Sequence, residues 1–112
     1  MNITDQIYKA GVIPVVEIDN AINALPLAQA LTHGGLPICE VTLRTSAAIP
    51  AIYKITQETR EILVGAGTVT NQEQALLAVN AGAKFLVSPG LAEDVARWSI
   101  ENNIPYFPGT IT

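Results

Sequence analysis

Two textures alternate along the chain: short β-branched apolar runs, and longer segments in which apolar residues recur at helical spacing. The runs are VIPVVEI (12–18), LPICEVTL (36–43), EILVGAGTV (61–69), KFLVSPG (84–90) and IPYFPGT (104–110). They are nearly continuous in apolar character, as expected of parallel strands covered on both faces. Pro14 and Pro37 weaken two of them, because proline cannot donate to a ladder. Between the runs lie helical segments. Residues 20–33 place Ile22, Leu25, Ala28 and Leu31 on one side, with Pro26 as a kink or a first-turn residue and Gly34-Gly35 as the stop. Residues 46–59 align Ile49, Ile52 and Ile55. Thr70-x-x-Glu73 forms a capping box for 71–81, which Gly82 ends. Residues 92–102 carry Val95 and Trp98, which helical spacing assigns to the core. A short helix near 3–9 precedes the first strand.

This αβαβαβαβαβ order predicts parallel strands joined by right-handed crossovers, in one domain with short linkers. An open doubly wound sheet and a barrel both satisfy the pattern. At 112 residues the chain is long enough to bury roughly two-thirds of its extended surface. Apolar residues make up 49% and charged residues 14%, against about a quarter charged in an average soluble domain. So low a charge content suits a chain that buries much of itself.

Within the second run, alternation puts Ile38, Glu40, Thr42 and Arg44 on one face and Cys39, Val41 and Leu43 on the other. The apolar set suits packing against helices; the polar set then faces a barrel interior or a crevice. Arg44 stands four residues from Glu40, roughly 13 Å along a regular strand, too far for a close pair. Glu40 therefore needs another partner, or burial raises its proton affinity. Arg44, Thr45, Gly67, Thr68, Ser88, Pro89 and Thr110 all fall at C-terminal strand ends, where sites gather in parallel α/β folds.

Other features narrow the function classes. The net charge is −4 with no basic run, which argues against nucleic-acid binding. No signal-peptide pattern opens the chain, and no apolar run approaches the ~18 residues of a membrane span, as in a soluble cytoplasmic protein. The single Cys39 forms no intrachain disulfide and reads as a packing residue; His33 reads as a helix C-terminal residue facing the dipole. No metal-ligand spacing is present. VGAGTVTN (64–71) resembles a dinucleotide fingerprint only superficially: it lacks the third glycine and the downstream acid. Small residues where strands crowd a barrel interior explain it as well.

GVIPVVEI, ICEVTLRTSAA, VGAGTVTN, AGAKFLVSPGL and IPYFPGTIT, in that order and spacing, give the chain its resemblance. It resembles the bacterial 2-keto-3-deoxy-6-phosphogluconate aldolases, which also act on 4-hydroxy-2-oxoglutarate. EVTLRT and GAGTV followed by SPGL are the specific part. The resemblance implies a (β/α)8 barrel, a class I aldolase of Entner–Doudoroff carbohydrate metabolism, a 2-keto acid substrate, usually a homotrimer, and no metal or other cofactor. By resemblance Glu40 is the proton-shuttling glutamate. Arg44 and Thr68 match positions that hold the pyruvyl carboxylate, and Pro89 a site-lining proline. Some members carry an arginine at the end of the first strand, where this chain has Glu17.

The family's Schiff-base lysine lies on a sixth strand, beyond Thr112. Lys9, Lys54 and Lys84 are the lysines here, and none is placed to replace it. The expectation is therefore that residues 1–112 are the N-terminal portion of one such barrel, with about five parallel strands and four to five helices, inactive alone. Two other readings stand beside it: a different phosphate-binding barrel enzyme, and a non-catalytic half-barrel that pairs with another chain.

Overall fold

The computed structural model describes residues 2–109. Five strands and five α-helices alternate. The first helix, α1 (Ile3–Ala10), is capped by the Asn2 side chain, which accepts from the Asp5 amide. Gly11 ends it at φ +77°, a left-handed turn natural to glycine. The remaining order is β1 (Val15–Val16), α2 (Ala24–His33), β2 (Ile38–Thr42), α3 (Ala48–Glu58), β3 (Leu63–Gly67), α4 (Gln72–Ala81), β4 (Leu86–Ser88), α5 (Glu93–Glu101) and β5 (Tyr106–Pro108).

All four pairings are parallel and the strands stand in the order β1-β2-β3-β4-β5. That order is not the one of a doubly wound sheet. A doubly wound sheet reverses direction at a switch point; here every crossover steps the same way, which lays the helices on one face. One buried cluster joins Ala24 and Ala28 of α2, Ile52 and Ile55 of α3, Ala75 and Ala78 of α4 and Val95 of α5 to Cys39, Val41, Val64, Ala66 and Leu86 of the strands. Glu40, Gly65, Gly67 and Phe85 belong to the opposite face, which no helix of that cluster covers.

The expected strands are present but shorter. β1 pairs over two residues, where the sequence suggested seven. Pro14 contributes only its carbonyl, which accepts from the Glu40 amide at 2.9 Å, and the Pro37 carbonyl likewise accepts from Leu63 at 2.9 Å. Each proline thus stands where its missing N–H costs nothing.

Two expected details are corrected. A 3₁₀ turn over Ala21–Asn23 precedes α2. Its tighter winding changes the phase, so Ile22 is 68% exposed while Ala24 and Ala28 are buried. Pro26 is accommodated in the first turn of α2. The cap of α4 is Asn71, whose side chain accepts from the Gln74 amide. Gln74 in turn accepts from both the backbone N–H and the hydroxyl of Thr70. The capping pair is therefore one residue later than Thr70-x-x-Glu73. Trp98 is partly buried against the core, and His33 ends α2 on the surface.

Candidate functional site

β2 positions the central carboxylate. Its five residues are all buried, and hydrogen bonding to β1 on one side and β3 on the other fixes the register: Glu40 opposite Val15 and Gly65, Thr42 opposite Gly67. The Glu40 side chain leans over Gly67, and a β-carbon there would overlap the carboxylate. One pleat nearer the N-terminal end of the sheet, the Phe85 ring covers Gly65 in the same way. Phe85 is fully buried and meets Phe107 edge-on, with centroids 6.3 Å apart. The two glycines of GAGT are thus the space into which an acid and an aromatic ring fit.

Glu40, Arg44, Thr68 and Pro89 line one cleft of about 290 Å³ at the C-terminal ends of the strands, together with Glu17, Thr42 and Ser88. All four residues singled out by the sequence are brought together. Thr45 and Gly67, expected at the same mouth, do not line the cleft. The Thr45 hydroxyl donates to the Ile18 carbonyl and ties β2 to the end of β1. Gly67 lies beneath the carboxylate. Thr110 falls outside the described residues.

The polar groups of the cleft divide by whether the fold satisfies them. The Ser88 hydroxyl donates to the Val69 carbonyl, and that of Thr42 to the Val16 carbonyl at 3.5 Å. These are structural ties. Glu40 has neither an ion-pair partner nor a side-chain hydrogen bond among the described residues. It is 8% exposed, and burial pushes its carboxyl above the ordinary value. Arg44, at the cleft rim, is exposed and makes no pair with Glu40, consistent with their spacing along the strand. Thr68 adopts φ +57°. A β-branched residue pays for a left-handed conformation, and such strain collects at functional sites. Nothing in the sequence signals that conformation except the glycine before it.

The three lysines lie elsewhere. Lys54 pairs with Glu58 along α3 at 3.9 Å. Lys84 lines a larger cleft of about 600 Å³ with Arg60 and Glu61, at the N-terminal ends of β3 and β4. Lys9 lines another with Pro37 and Gly35. Neither of those clefts contains Glu40. Among the described residues no group of three or more His, Cys, Asp or Glu is placed to hold a metal ion, and no helix is long and apolar enough to cross a membrane.

Comparison with known proteins shows what the chain as a whole is similar to. The family described as KDPG and KHG aldolase matches residues 3–112. The 2-dehydro-3-deoxy-phosphogluconate aldolase of Dickeya dadantii is 46% identical over 109 residues, covering 96% of this chain and 51% of that protein. Among solved structures, the 2-keto-3-deoxy-6-phosphogluconate aldolase of Zymomonas mobilis ZM4 with 3-phosphoglycerate superimposes with a TM-score of 0.89 at 39% identity, covering 100% of this chain and 54% of that one. The KDPG aldolase of Legionella pneumophila, with pyruvate captured as a covalent carbinolamine, gives 0.84 at 41% identity, covering 89% and 48%. The chain spans about half the length of the relatives it matches.

Proposed function

The chain belongs to the KDPG and KHG aldolase family, and we propose that its Glu40 cleft is the proton-transfer and carboxylate-holding part of a class I aldolase site. The reaction is cleavage of 2-keto-3-deoxy-6-phosphogluconate to pyruvate and glyceraldehyde 3-phosphate through a Schiff base. The observation that carries the reading is an unpartnered carboxylate, with proton affinity raised by burial, sharing one cleft with an arginine and a strained threonine.

The chemistry suits those groups. An amine adds to the C2 carbonyl to give a carbinolamine, which must lose water to become an iminium. Glu40 in its acid form supplies the proton that lets hydroxide leave as water. As the C3–C4 bond breaks, its electrons flow into the iminium and the C4 hydroxyl gives up a proton, which the Glu40 carboxylate receives. One group must serve as acid and then base, and a carboxyl shifted toward neutrality does both. Arg44 offers a planar fork to the substrate's C1 carboxylate. Thr68 and Pro89 shape the same wall.

The amine belongs to none of the lysines here, so we propose that it comes from outside these 112 residues, within a (β/α)8 barrel whose first five strands these are. Homotrimeric assembly and a cytoplasmic setting are part of the same proposal. Borohydride trapping with pyruvate tests the amine: no stable adduct is expected on this chain, and an adduct on Lys9, Lys54 or Lys84 overturns its assignment. Pyruvate titrated into isotope-labelled protein tests the cleft. Shifts are expected at Thr68 and around Arg44 and are lost in Arg44→Gln; their absence sinks the reading.

A second reading has its own support. Val15 on edge strand β1 and Phe107 on edge strand β5 are 65% and 36% exposed, and apolar edges favour association. A half-barrel that pairs with another chain would sediment above monomer mass; a monodisperse monomer counts against it.

A further inference from the structure

Period two assigns the residues of β3 to two faces. Val64 and Ala66 join the apolar cluster on the helix side, while Gly65 and Gly67 lie beneath the Phe85 ring and the Glu40 carboxylate. Continued regularly, the chain would turn Thr68 toward the helices and Val69 toward the cleft. The opposite occurs. Val69 is fully buried in the helix-side cluster, and Thr68 lines the cleft with Glu40 and Arg44. The hydrogen bonds locate the change of phase. The Ala66 N–H donates to the Phe85 carbonyl at 3.0 Å. In a regular parallel ladder the next donor from this strand would be Thr68, two residues on, to the Val87 carbonyl. That carbonyl instead accepts from the Val69 N–H at 3.1 Å. Thr68, at φ +57°, is therefore one inserted residue, a bulge of the kind that re-aims a side chain beside a site.

The groups that flank the insertion hold it from both sides. Before it, the Gly67 carbonyl accepts from the Leu43 N–H at 2.9 Å. After it, the Ser88 hydroxyl donates to the Val69 carbonyl, and Ser88 is 2% exposed. The Ser88 carbonyl accepts in turn from the Gly109 N–H at 2.8 Å, which ties this residue to the end of β5. Both neighbours of β3 are present in the sheet, so these bonds lie wholly within the described residues. Pro89 follows Ser88 at the place where a regular ladder would need an N–H for the Thr68 carbonyl, and proline has none. A β-branched residue does not stay in the left-handed region without such support. We infer that Ser88 is a positioning residue: its hydroxyl fixes the Val69 carbonyl and so holds Thr68 in the bulge that turns it into the cleft. That this serves ligand binding rests on the reading of the cleft as a keto-acid site.

The test uses the isotope-labelled 112-residue chain and reads two quantities. A strong intraresidue cross-peak between the amide and α protons of Thr68 marks its positive φ, and a pyruvate titration gives a Kd. Ser88→Ala is expected to weaken the cross-peak and to raise the Kd roughly three- to tenfold, the effect of about one hydrogen bond. Ser88→Cys refills the volume with a weak donor and is expected to follow Ser88→Ala. Ser88→Thr keeps the hydroxyl and is expected to keep both readouts. Circular dichroism confirms that each variant is folded. A folded Ser88→Ala or Ser88→Cys chain with the wild-type cross-peak overturns the role of Ser88. A lost cross-peak with an unchanged Kd does the same, because the placing of Thr68 then has no bearing on the ligand. If Ser88→Thr behaves as Ser88→Ala, packing rather than the hydroxyl holds the bulge, and the role falls. It falls equally if Ser88→Ala and Ser88→Cys both fail to fold, since the hydroxyl then supports the whole sheet. If the folded wild-type chain binds no pyruvate, the keto-acid reading is refuted instead, and the cross-peak still decides whether Ser88 holds Thr68.

Discussion

The two faces of β2 are both buried and do different things. On the helix side Cys39 and Val41 join the apolar cluster, and burial pushes the Cys39 thiol up to about 12. On the other side Ile38, Glu40 and Thr42 face Gly65, Gly67 and the Phe85 ring. Both faces raise the pKa of an acid by desolvation, yet a neutral thiol is at ease in an apolar cluster, whereas an unpaired carboxylate is not. Burial alone therefore does not separate core from site. Within the cleft the polar groups differ in whether the packing satisfies them: Thr42 and Ser88 find carbonyls, and Glu40 finds no partner among the described residues; outside it, the buried Ser99 hydroxyl of α5 is also without one.

The sharpest challenge to that comparison is to empty each face in turn. Phe85→Ala removes a fully buried ring from the Glu40 side and is expected to cost about 3–5 kcal/mol, with Ile52→Ala on the helix side costing about 2–5 kcal/mol. Urea unfolding checks both. A cost near zero for Phe85→Ala would mean that the face without helices is not a packed face at all. Next, Gly67→Ala forces a methyl group into the space the Glu40 carboxylate occupies. Overpacking of this kind costs about 1–3 kcal/mol, and the variant is expected to lose whatever keto-acid binding the wild type shows. A variant of unchanged stability and binding would place the carboxylate elsewhere.

Smaller effects probe the two acids themselves. Above its ordinary value near 4.5, Glu40 is ionised in the unfolded chain while the folded chain still favours the protonated form. The folded state then binds more protons, so this group's contribution to stability falls as pH rises through that window. Below it both states are protonated and the penalty disappears. Glu40→Gln is thus expected to melt higher than wild type at neutral pH, and the Tm gap should close on acidification below the ordinary value. A gap independent of pH would deny the desolvation. Cys39, neutral and buried, is expected to react with a disulfide reagent only as fast as the chain unfolds; fast reaction in the native state would show the helix face to be open.

The alternation of elements, the two faces of β2 and the placing of Arg44, Thr68 and Pro89 at strand C-terminal ends follow from local rules, period two along a strand and 3.6 along a helix, whereas grouping Glu40 with them came from the family resemblance. The same rules misplaced what depends on exact phase. The 3₁₀ turn over Ala21–Asn23 rotated Ile22 out of the core line, and Asn71 displaced Thr70 as the cap of α4, because both outcomes turn on local side-chain hydrogen bonds that periodicity does not contain.

By itself, then, the chain's order of apolar and polar residues determined which segments become strands and helices, which side of β2 carries the acid, and that Glu40 and Arg44 stand too far apart along the strand to neutralise each other. Only the folded molecule decided that every crossover steps one way, that Thr68 takes a left-handed turn, and that Glu17 shares the cleft with Glu40. Those outcomes depend on which strands become neighbours and on how the ends of β1 and β3 are held beside β2. Such contacts join residues twenty or more positions apart along the paired strands, and their geometry is fixed by packing, which no local spacing encodes.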